Sequence, residues 1–261
     1  MAVLSSAGKR REAIAQQLGR EHIVRVAELS QCFGVSEVSI RRDLERLERQ
    51  GLLQRVHGGA VAVAVDTGSD KPASAPIPHL DEKRRIGRAA AALVRPGDRL
   101  LFDSGTTVLE VARALSNGLV GTDSLTAITC SLPIVQDLGH CPGIHMLLLG
   151  GIYLPEHRIV TGPQTLESLR GLHADKMFLG ADGMTLSHGV TTANVLEAEV
   201  DRAMAKATQE VILVADSSKI GGIGLTSIMP LERVHKLITD AGAPADFVSA
   251  LRDAGVDVIL V

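Results

Sequence analysis

Residues 35–49, VSEVSIRRDLERLER, concentrate the groups best able to grip nucleic acid. Projected as a helix at about 100° per residue, Val38, Arg42, Glu45 and Arg49 fall on one face, flanked by Ser39 and Arg41. Ile40, Leu44 and Leu47 form the opposite stripe. A helix entering the major groove needs this division: an apolar back that holds it to its domain and a front that meets phosphates and base edges. Ser39 can bond a base or a phosphate, Val38 can touch a thymine methyl, and Arg41 or Arg42 can fork onto guanine or clamp a phosphate. Ser36 is placed to cap the helix through its hydroxyl. Asp43 lies nearer the core edge and reads as a structural ion-pair partner, and Arg49 taken alone reads as solvated surface.

A second set of residues stands at the ends of short apolar runs. These are Asp103-Ser104-Gly105-Thr106-Thr107, Thr129-Cys130-Ser131, Gly150-Gly151, Gly180-Ala181-Asp182-Gly183 and Asp216-Ser217-Ser218-Lys219. A Ser/Thr/Gly turn opening a helix offers hydroxyls, backbone N–H groups and a helix N-terminus, a natural seat for an anion such as phosphate. Lys219 adds a positive charge, and ionised Asp103 and Asp182 accept hydrogen bonds, which suits sugar hydroxyls. Any one such loop is an ordinary helix cap or turn. Five of them gathered at one edge make a ligand site the better reading.

The elements that must position these groups follow from periodicity. Lys9 to Leu18 reads as a first helix ended by Gly19, and Val26 to Phe33 as a second that buries Val26, Leu29 and Phe33. Gly34 supplies the turn before the third helix, giving a helix-turn-helix unit. Leu52–Val56 and Ala60–Val63, around His57-Gly58-Gly59, read as a hairpin or wing that lets Arg55 and His57 reach backbone or minor groove. Residues 64–80 carry Pro72, Pro76 and Pro78 among small polar residues and read as a tether. The domains expected are therefore a winged helix-turn-helix over 6–63, a linker over 64–80 and a second domain over 81–261. In that second domain a helix over 81–94 precedes apolar strands at 100–102, 125–128, 144–149, 177–179, 211–215, 236–238 and 256–261. Helical stretches at 108–115, 195–208 and 245–254 separate several of them, which predicts an α/β domain with a largely parallel sheet.

Charge divides in the same place. Residues 1–60 hold ten Lys/Arg against seven Asp/Glu, whereas the other 201 residues hold 17 against 23. A basic head on an acidic body fits a polyanion at one end only. With four Phe, one Tyr and no Trp, the chain lacks the stacking platforms that single-strand and RNA recognition use.

Residues 35–60, VSEVSIRRDLERLERQGLLQRVHGGA, resemble almost position for position the DNA-binding signature of DeoR-type bacterial regulators, with Ser39 where the family more often has Thr. The resemblance covers about residues 6–261 and continues through DSGTT (103–107), SLPI (131–134), GG (150–151), FLGADG (178–183), GVTTANVLEAEV (189–200) and DSSK (216–219). It implies a C-terminal domain similar to ribose-5-phosphate isomerase that binds a phosphorylated sugar and, in the family's usual mode of repression, releases the DNA. It nominates Asp103, Ser104, Gly105, Thr106, Thr107, Ser131, Gly150, Gly151, Asp182, Asn194, Glu197 and Lys219 as effector contacts. Two departures stand out: Cys130 where the family often has Asn, and Leu154 where an Arg is common, with Arg158 nearby.

The competing reading from another class is an isomerase with a DNA-binding head. Isomerases of that kind carry two Asp after the equivalent strand and a Lys before the next glycine run. Here Leu179-Gly180-Ala181-Asp182 keeps only the second Asp, and Ser187-His188-Gly189 has no Lys, so no catalytic residue is expected. A metal sensor is disfavoured, because nine His include no HExxH or tight His/Cys cluster. No cofactor and no metal are expected. Without a signal-like N-terminus or an apolar run near the ~18 residues that span a bilayer, the chain reads as cytoplasmic with no membrane partner. The partners expected are double-stranded operator DNA, a small-molecule effector and a second copy of the chain, since one winged unit makes few contacts.

Overall fold

The computed structural model describes residues 10–11, 13–14, 23–49, 53–56, 59–62, 77–118 and 125–261. The chain divides into two compact units, residues 1–68 and 69–261, each with its own core.

In the first unit a short strand β1 (Ile23–Arg25) leads directly into α1 (Val26–Phe33). Gly34 makes the turn with φ +63°, and α2 (Glu37–Arg49) follows. Strands β2 (Leu53–Val56) and β3 (Gly59–Ala62) form the expected hairpin. β1 adds antiparallel to β3, so the wing is a three-stranded sheet in the order β1-β3-β2. The third strand escapes a periodicity reading because three residues cannot establish alternation. Of the first predicted helix, residues 10, 11, 13 and 14 are described and are helical; the rest of it lies outside the described residues.

The second unit opens with α3 (Leu80–Ala91) and continues through β4 (Arg99–Phe102), α4 (Thr106–Gly118), β5 (Leu125–Thr129), α5 (Leu132–Leu138) and β6 (Ile144–Leu148). A hairpin of β7 (Ile152–Leu154) and β8 (Ile159–Thr161) precedes α6 (Pro163–Leu169) and β9 (Ala174–Leu179). Next come β10 (Gly183–Thr185), β11 (Gly189–Thr192), α7 (Val195–Lys206) and β12 (Thr208–Val214). The chain closes with β13 (Thr226–Met229), β14 (Lys236–Thr239), α8 (Ala245–Asp253) and β15 (Asp257–Leu260). Thr208, read from sequence as the last residue of a helix, instead begins β12, because its amide end joins the ladder to β9.

All seven predicted strands join one sheet in the order β15-β14-β12-β9-β4-β5-β6, and every pairing in it is parallel. Both faces of the five inner strands are covered, which is why they read as apolar runs, while the edge strands β6 and β15 stay partly exposed. Leu100, Phe102, Phe178, Ile212 and Val214 pack with Ile86 and Ala90 of α3 and Val108 and Val111 of α4. Leu101, Met177, Leu179 and Leu213 pack with Ala198 and Met204 of α7 and Val248 and Leu251 of α8. Phe102 and Phe178 meet across the β4–β9 ladder with ring centroids 5.3 Å apart. A small antiparallel sheet, β10-β11-β13, was not legible from sequence. Its strands are three or four residues long, and β11 finds β13 only across the intervening helix and strand.

Candidate functional site

The first candidate surface is the front of α2. Ile40, Leu44 and Leu47 are almost wholly buried, and together with Ile14, Val24, Val26, Leu29 and Ala60 they form the core of the unit. Asp43 is buried beside them and accepts from Arg10 at 2.7 Å and Arg11 at 3.5 Å, the structural role expected of it. Val38 is 57% exposed, and Arg41, Arg42 and Glu45 are exposed on the other side. Ser36 caps the helix by accepting from the Ser39 N–H at 3.3 Å, and the two hydroxyls lie 3.1 Å apart. Arg41 donates to Glu37 at 2.8 Å, one turn back. An exposed pair at this spacing is worth only a few tenths of a kcal/mol, so it yields readily to a phosphate. Arg55 lies on β2 opposite Ala60, and His57 lies outside the described residues.

The second candidate surface is the carboxyl edge of the seven-stranded sheet. From β4 the chain winds outward to β5 and β6, and from β9 it winds the other way to β12, β14 and β15. The topological switch therefore falls between β4 and β9, where open α/β sheets bind ligands. Asp103 ends β4 at that point, buried, with its carboxylate accepting from the Ser104 N–H and from the Gly180 N–H at 2.9 Å. Ser104 is half-buried, Gly105 and Thr106 are exposed, Thr107 is buried, and α4 starts at Thr106. The first-turn N–H groups of α4 thus open next to Asp103, a donor set for an anion.

Around this point the flanking loops are held by specific bonds. Thr129 donates to the Phe102 carbonyl at 2.9 Å and accepts from the Ser131 N–H at 3.0 Å, which ties the end of β5 to that of β4. Ser131 is buried and bridges to Ile159. The Gly150 carbonyl accepts from Thr165 at 2.8 Å, and a Cβ at Gly151 would lie 2.4 Å from the Thr165 hydroxyl and 2.5 Å from the Thr161 carbonyl. Close packing against β8 and α6 alone accounts for glycine at Gly151. Asp182 accepts from the Thr192 hydroxyl at 3.0 Å and the Ala193 N–H at 2.8 Å. Asn194 is the N-cap of α7, accepting from the N–H groups of Leu196 at 2.9 Å and Glu197 at 3.4 Å. Glu197 pairs with His157 Nδ1 at 2.9 Å. Lys219 ends a 3-10 turn (Ser217–Lys219) that Asp216 caps, and the following Gly221 N–H bonds Met184 of β10 at 2.9 Å. Asp240, at the end of β14, accepts from the Ser217 N–H at 2.6 Å and hydroxyl at 2.8 Å and so fixes that turn. Burial alone would raise the Asp240 pKa, but the donors from Ser217 and Gly242 outweigh it and hold the carboxyl below its usual value.

The nominated loops therefore meet through Asp103–Gly180 and Asp182–Thr192, with Glu197 one contact further on. Sequence reasoning missed three members of this arrangement. Asp201, on α7, is buried, and the negative charge of Asp103 disfavours ionisation of its carboxyl. His157 arrives from the β7–β8 turn, and Lys83 of α3, buried, lies 3.8 Å from Asp216 Oδ2. Asp201 carried a readable signal, because it shares the buried stripe of its helix with Ala198 and Met204. Burial raises the pKa of Asp103 and, well above the ordinary range, that of Asp201, to which the Asp103 charge adds. Burial likewise pushes the Cys130 thiol well up, with help from Asp103, Asp201 and Glu197, so Cys130 is a neutral filler and no nucleophile. Leu154 packs half-buried against the main core, and Arg158, exposed, donates to Gln136 at 2.8 Å. Among the described residues no cluster of His, Cys, Asp and Glu could hold a metal ion, and no helix is long and apolar enough to cross a membrane.

Comparison with known proteins bears on both surfaces. The family model of the DeoR-like helix-turn-helix domain matches residues 10–65, and that of the DeoR C terminal sensor domain matches residues 78–241. The chain is 38% identical to the putative aga operon transcriptional repressor of Escherichia coli O157:H7, across 99% of this chain and 95% of that protein. It is 35% identical to the transcriptional repressor AccR of Agrobacterium fabrum across 92% of each chain. It is 32% identical to the HTH-type transcriptional repressor GlcR of Bacillus subtilis across 95% of this chain and 94% of that one. Among solved structures, ribose 5-phosphate isomerase A from Methanocaldococcus jannaschii aligns with 54% of this chain and 55% of its own, at 16% identity and a TM-score of 0.41. With both family models matching in chain order and relatives spanning nearly its whole length, the chain belongs to the DeoR family of DNA-binding transcription regulators.

Proposed function

We propose that this protein represses a carbohydrate-utilisation operon and leaves its operator when a phosphorylated sugar or related metabolite occupies the carboxyl edge of the sheet. The observation that carries the reading is the convergence of an anion-seating helix terminus at Thr106 with the hydrogen-bond acceptors Asp103 and Asp182 at the switch point. In this reading the phosphate lies towards Ser104, Gly105, Thr106, Thr107 and Lys219. The sugar hydroxyls face Asp103, Asp182 and Glu197, with Ser131, Gly150, Gly151 and Asn194 shaping the walls. The head spans 6–63 and the sensing body 81–261, joined by 64–80, and all of it works in the cytoplasm. Ser36, Val38, Ser39, Arg41, Arg42, Arg55 and His57 meet the DNA, and two copies of the chain read paired half-sites. Binding proceeds without turnover, because Leu179-Gly180-Ala181-Asp182 keeps only one of the two Asp residues that isomerisation uses and Ser187-His188 supplies no Lys next to Gly189.

A mobility-shift assay on DNA flanking the protein's own gene, run with pentose and hexose phosphates and their neutral sugars, tests this reading. Release by a phosphorylated sugar is expected. Release by a neutral sugar alone would remove the phosphate from the proposal, and steady isomerisation of any sugar phosphate would overturn the absence of catalysis. Light scattering that finds only a monomer would count against paired half-sites. In the same assay Arg42→Ala is expected to weaken operator binding by about 5- to 150-fold, the loss of one bidentate base contact worth about 1–3 kcal/mol. Should Arg42 hold phosphate instead, the loss would be uniform across sequences and the salt slope would fall by about one. Unchanged affinity would move the groove face elsewhere on α2.

A further inference from the structure

Lys83, at the end of the first turn of α3, is buried at 6% exposure, and its ammonium meets two distant segments at once. It donates to the Pro78 carbonyl at 2.8 Å and lies 3.8 Å from Asp216 Oδ2, beyond β12. Each segment depends on that contact. Asp216 is 1% exposed, and its Oδ1 accepts from the Ser218 N–H at 3.2 Å and from the Ser218 hydroxyl. Its Oδ2 is buried with no hydrogen-bond partner among the described residues. A buried carboxylate oxygen in that state leans on the nearby positive charge, and removing that charge leaves it uncompensated. On the other side, His79 stands between Pro78 and α3 at φ +54°, the left-handed region, and no side-chain bond caps the helix there. An L side chain holds that conformation only where its surroundings impose it. Lys83 grips this turn twice, through its ammonium on Pro78 and through its own N–H, which donates to the His79 carbonyl at 3.0 Å.

We propose that Lys83 is a positioning residue that couples the Lys219 turn to the Pro78–His79 turn, so that effector binding at the first loosens the second. The effector's part rests on the function proposed above; the link between the two turns does not. Asp216 caps the 3-10 turn Ser217–Lys219, so any shift of Lys219 on meeting a ligand is carried to Asp216 and from there to the Lys83 ammonium. Pro78 and His79 lie where the chain passes from the tether into α3. Once the ammonium lets go, His79 leaves the left-handed region, and Pro78, which is exposed, offers its carbonyl to water. A ligand shifts such an element only through contacts that differ between its two states. Here those contacts are Lys83 with Pro78 and Lys83 with Asp216.

Amide hydrogen exchange in the ligand-free, full-length protein tests the link. Asp216→Asn keeps an oxygen for Ser218 and removes the charge, and it should speed exchange of the Lys83 amide by about tenfold. Lys83→Met keeps the apolar stem and should do the same for the amides of Ser218 and Lys219. The Val248 amide of α8, bonded to the Pro244 carbonyl at 3.0 Å, should keep its wild-type rate in both. Changes confined to the mutated segment, or spread equally to Val248, overturn the proposal. If either single variant does not fold, the double variant Lys83→Met/Asp216→Asn decides, because removing both charges of a buried pair is tolerated better than removing one. Both turns should exchange fast in it, and wild-type rates at both would sink the link. Operator release is then measured with ribose 5-phosphate and glucose 6-phosphate, each raised until no further change, so that weaker ligand binding cannot imitate lost coupling. The ratio of operator affinities without and with sugar phosphate should fall at least about fivefold in Lys83→Met; an unchanged ratio overturns the coupling. Cross-talk in exchange with no release of wild type by either sugar phosphate would keep the link and reject the effector reading.

Discussion

Leu44→Ala is expected to unfold the DNA-reading head while the α/β body keeps its fold. Leu44 is 1% exposed at the centre of a core of eight buried apolar residues. Truncating a buried leucine costs about 2–5 kcal/mol, the lost transfer energy plus the cavity left behind. A unit of under 70 residues rarely holds more than about 3–5 kcal/mol in total, so the change consumes most or all of its stability. The body draws on separate clusters built from its own strands and helices and loses nothing. Scanning calorimetry should show the head's transition shifted down or absent and the body's unchanged. Operator binding should disappear, while binding of any small molecule that recognises the body is retained. A fall in the body's transition would mean that the two cores are not energetically separate. Leu44→Met, which nearly conserves volume, should cost under about 1.5 kcal/mol and keep DNA binding.

Gly189→Ala is expected to do the converse. Gly189 begins β11 with φ +71°, where an L side chain is strained by about 1–2 kcal/mol. An added Cβ would fall 2.1 Å from the Met229 carbonyl oxygen and 2.8 Å from Pro230 Cα, both backbone atoms that no rotamer change can move. Overpacking of this kind adds about 1–3 kcal/mol. The collision opens the β11–β13 pairing, which joins Val190 to Met229 and Thr192 to Thr226. Thr192 also donates to Asp182 and reaches Glu197 at 3.5 Å, so the strand that is pushed out carries part of the proposed ligand edge. The urea midpoint of the body should drop, and ligand-driven release of DNA should fail, while the head still binds the operator. A variant as stable as wild type would show that the small sheet tolerates a shift of β13.

The two variants fall on opposite sides of what was legible beforehand. α2 could be read to the face, because a helix of this length buries a stripe set by local spacing alone, and Ile40, Leu44 and Leu47 occur at that spacing. The seven strands of the main sheet were equally visible: the five inner ones read as apolar runs because both their faces are covered, and the half-exposed edge strands β6 and β15 still carry enough apolar residues to be read. Their order was not visible. Hydrophobic runs name strands but do not rank neighbours, and only the ladder from β4 to β9 sets the switch point at Asp103. The β7–β8 hairpin and the β10-β11-β13 sheet stayed hidden because their strands are too short for a pattern. Asn194 and Gly151, read from motifs as ligand contacts, also have complete structural roles as a helix cap and a close-packed turn.

The sequence by itself determined that this protein carries a DNA-reading helix and which side of it faces out, because helical periodicity is written in residues three and four apart. It also determined the alternation of strands and helices that makes an open sheet edge, because each element's burial pattern is local. Only the tertiary structure decided what stands at that edge. It brought Gly180, beyond β9, onto Asp103, beyond β4, and His157 onto Glu197, partners with no local relation in the chain. A hydrogen bond or ion pair between distant residues belongs to the distance between them, and that distance exists only once the sheet and its covering helix have packed.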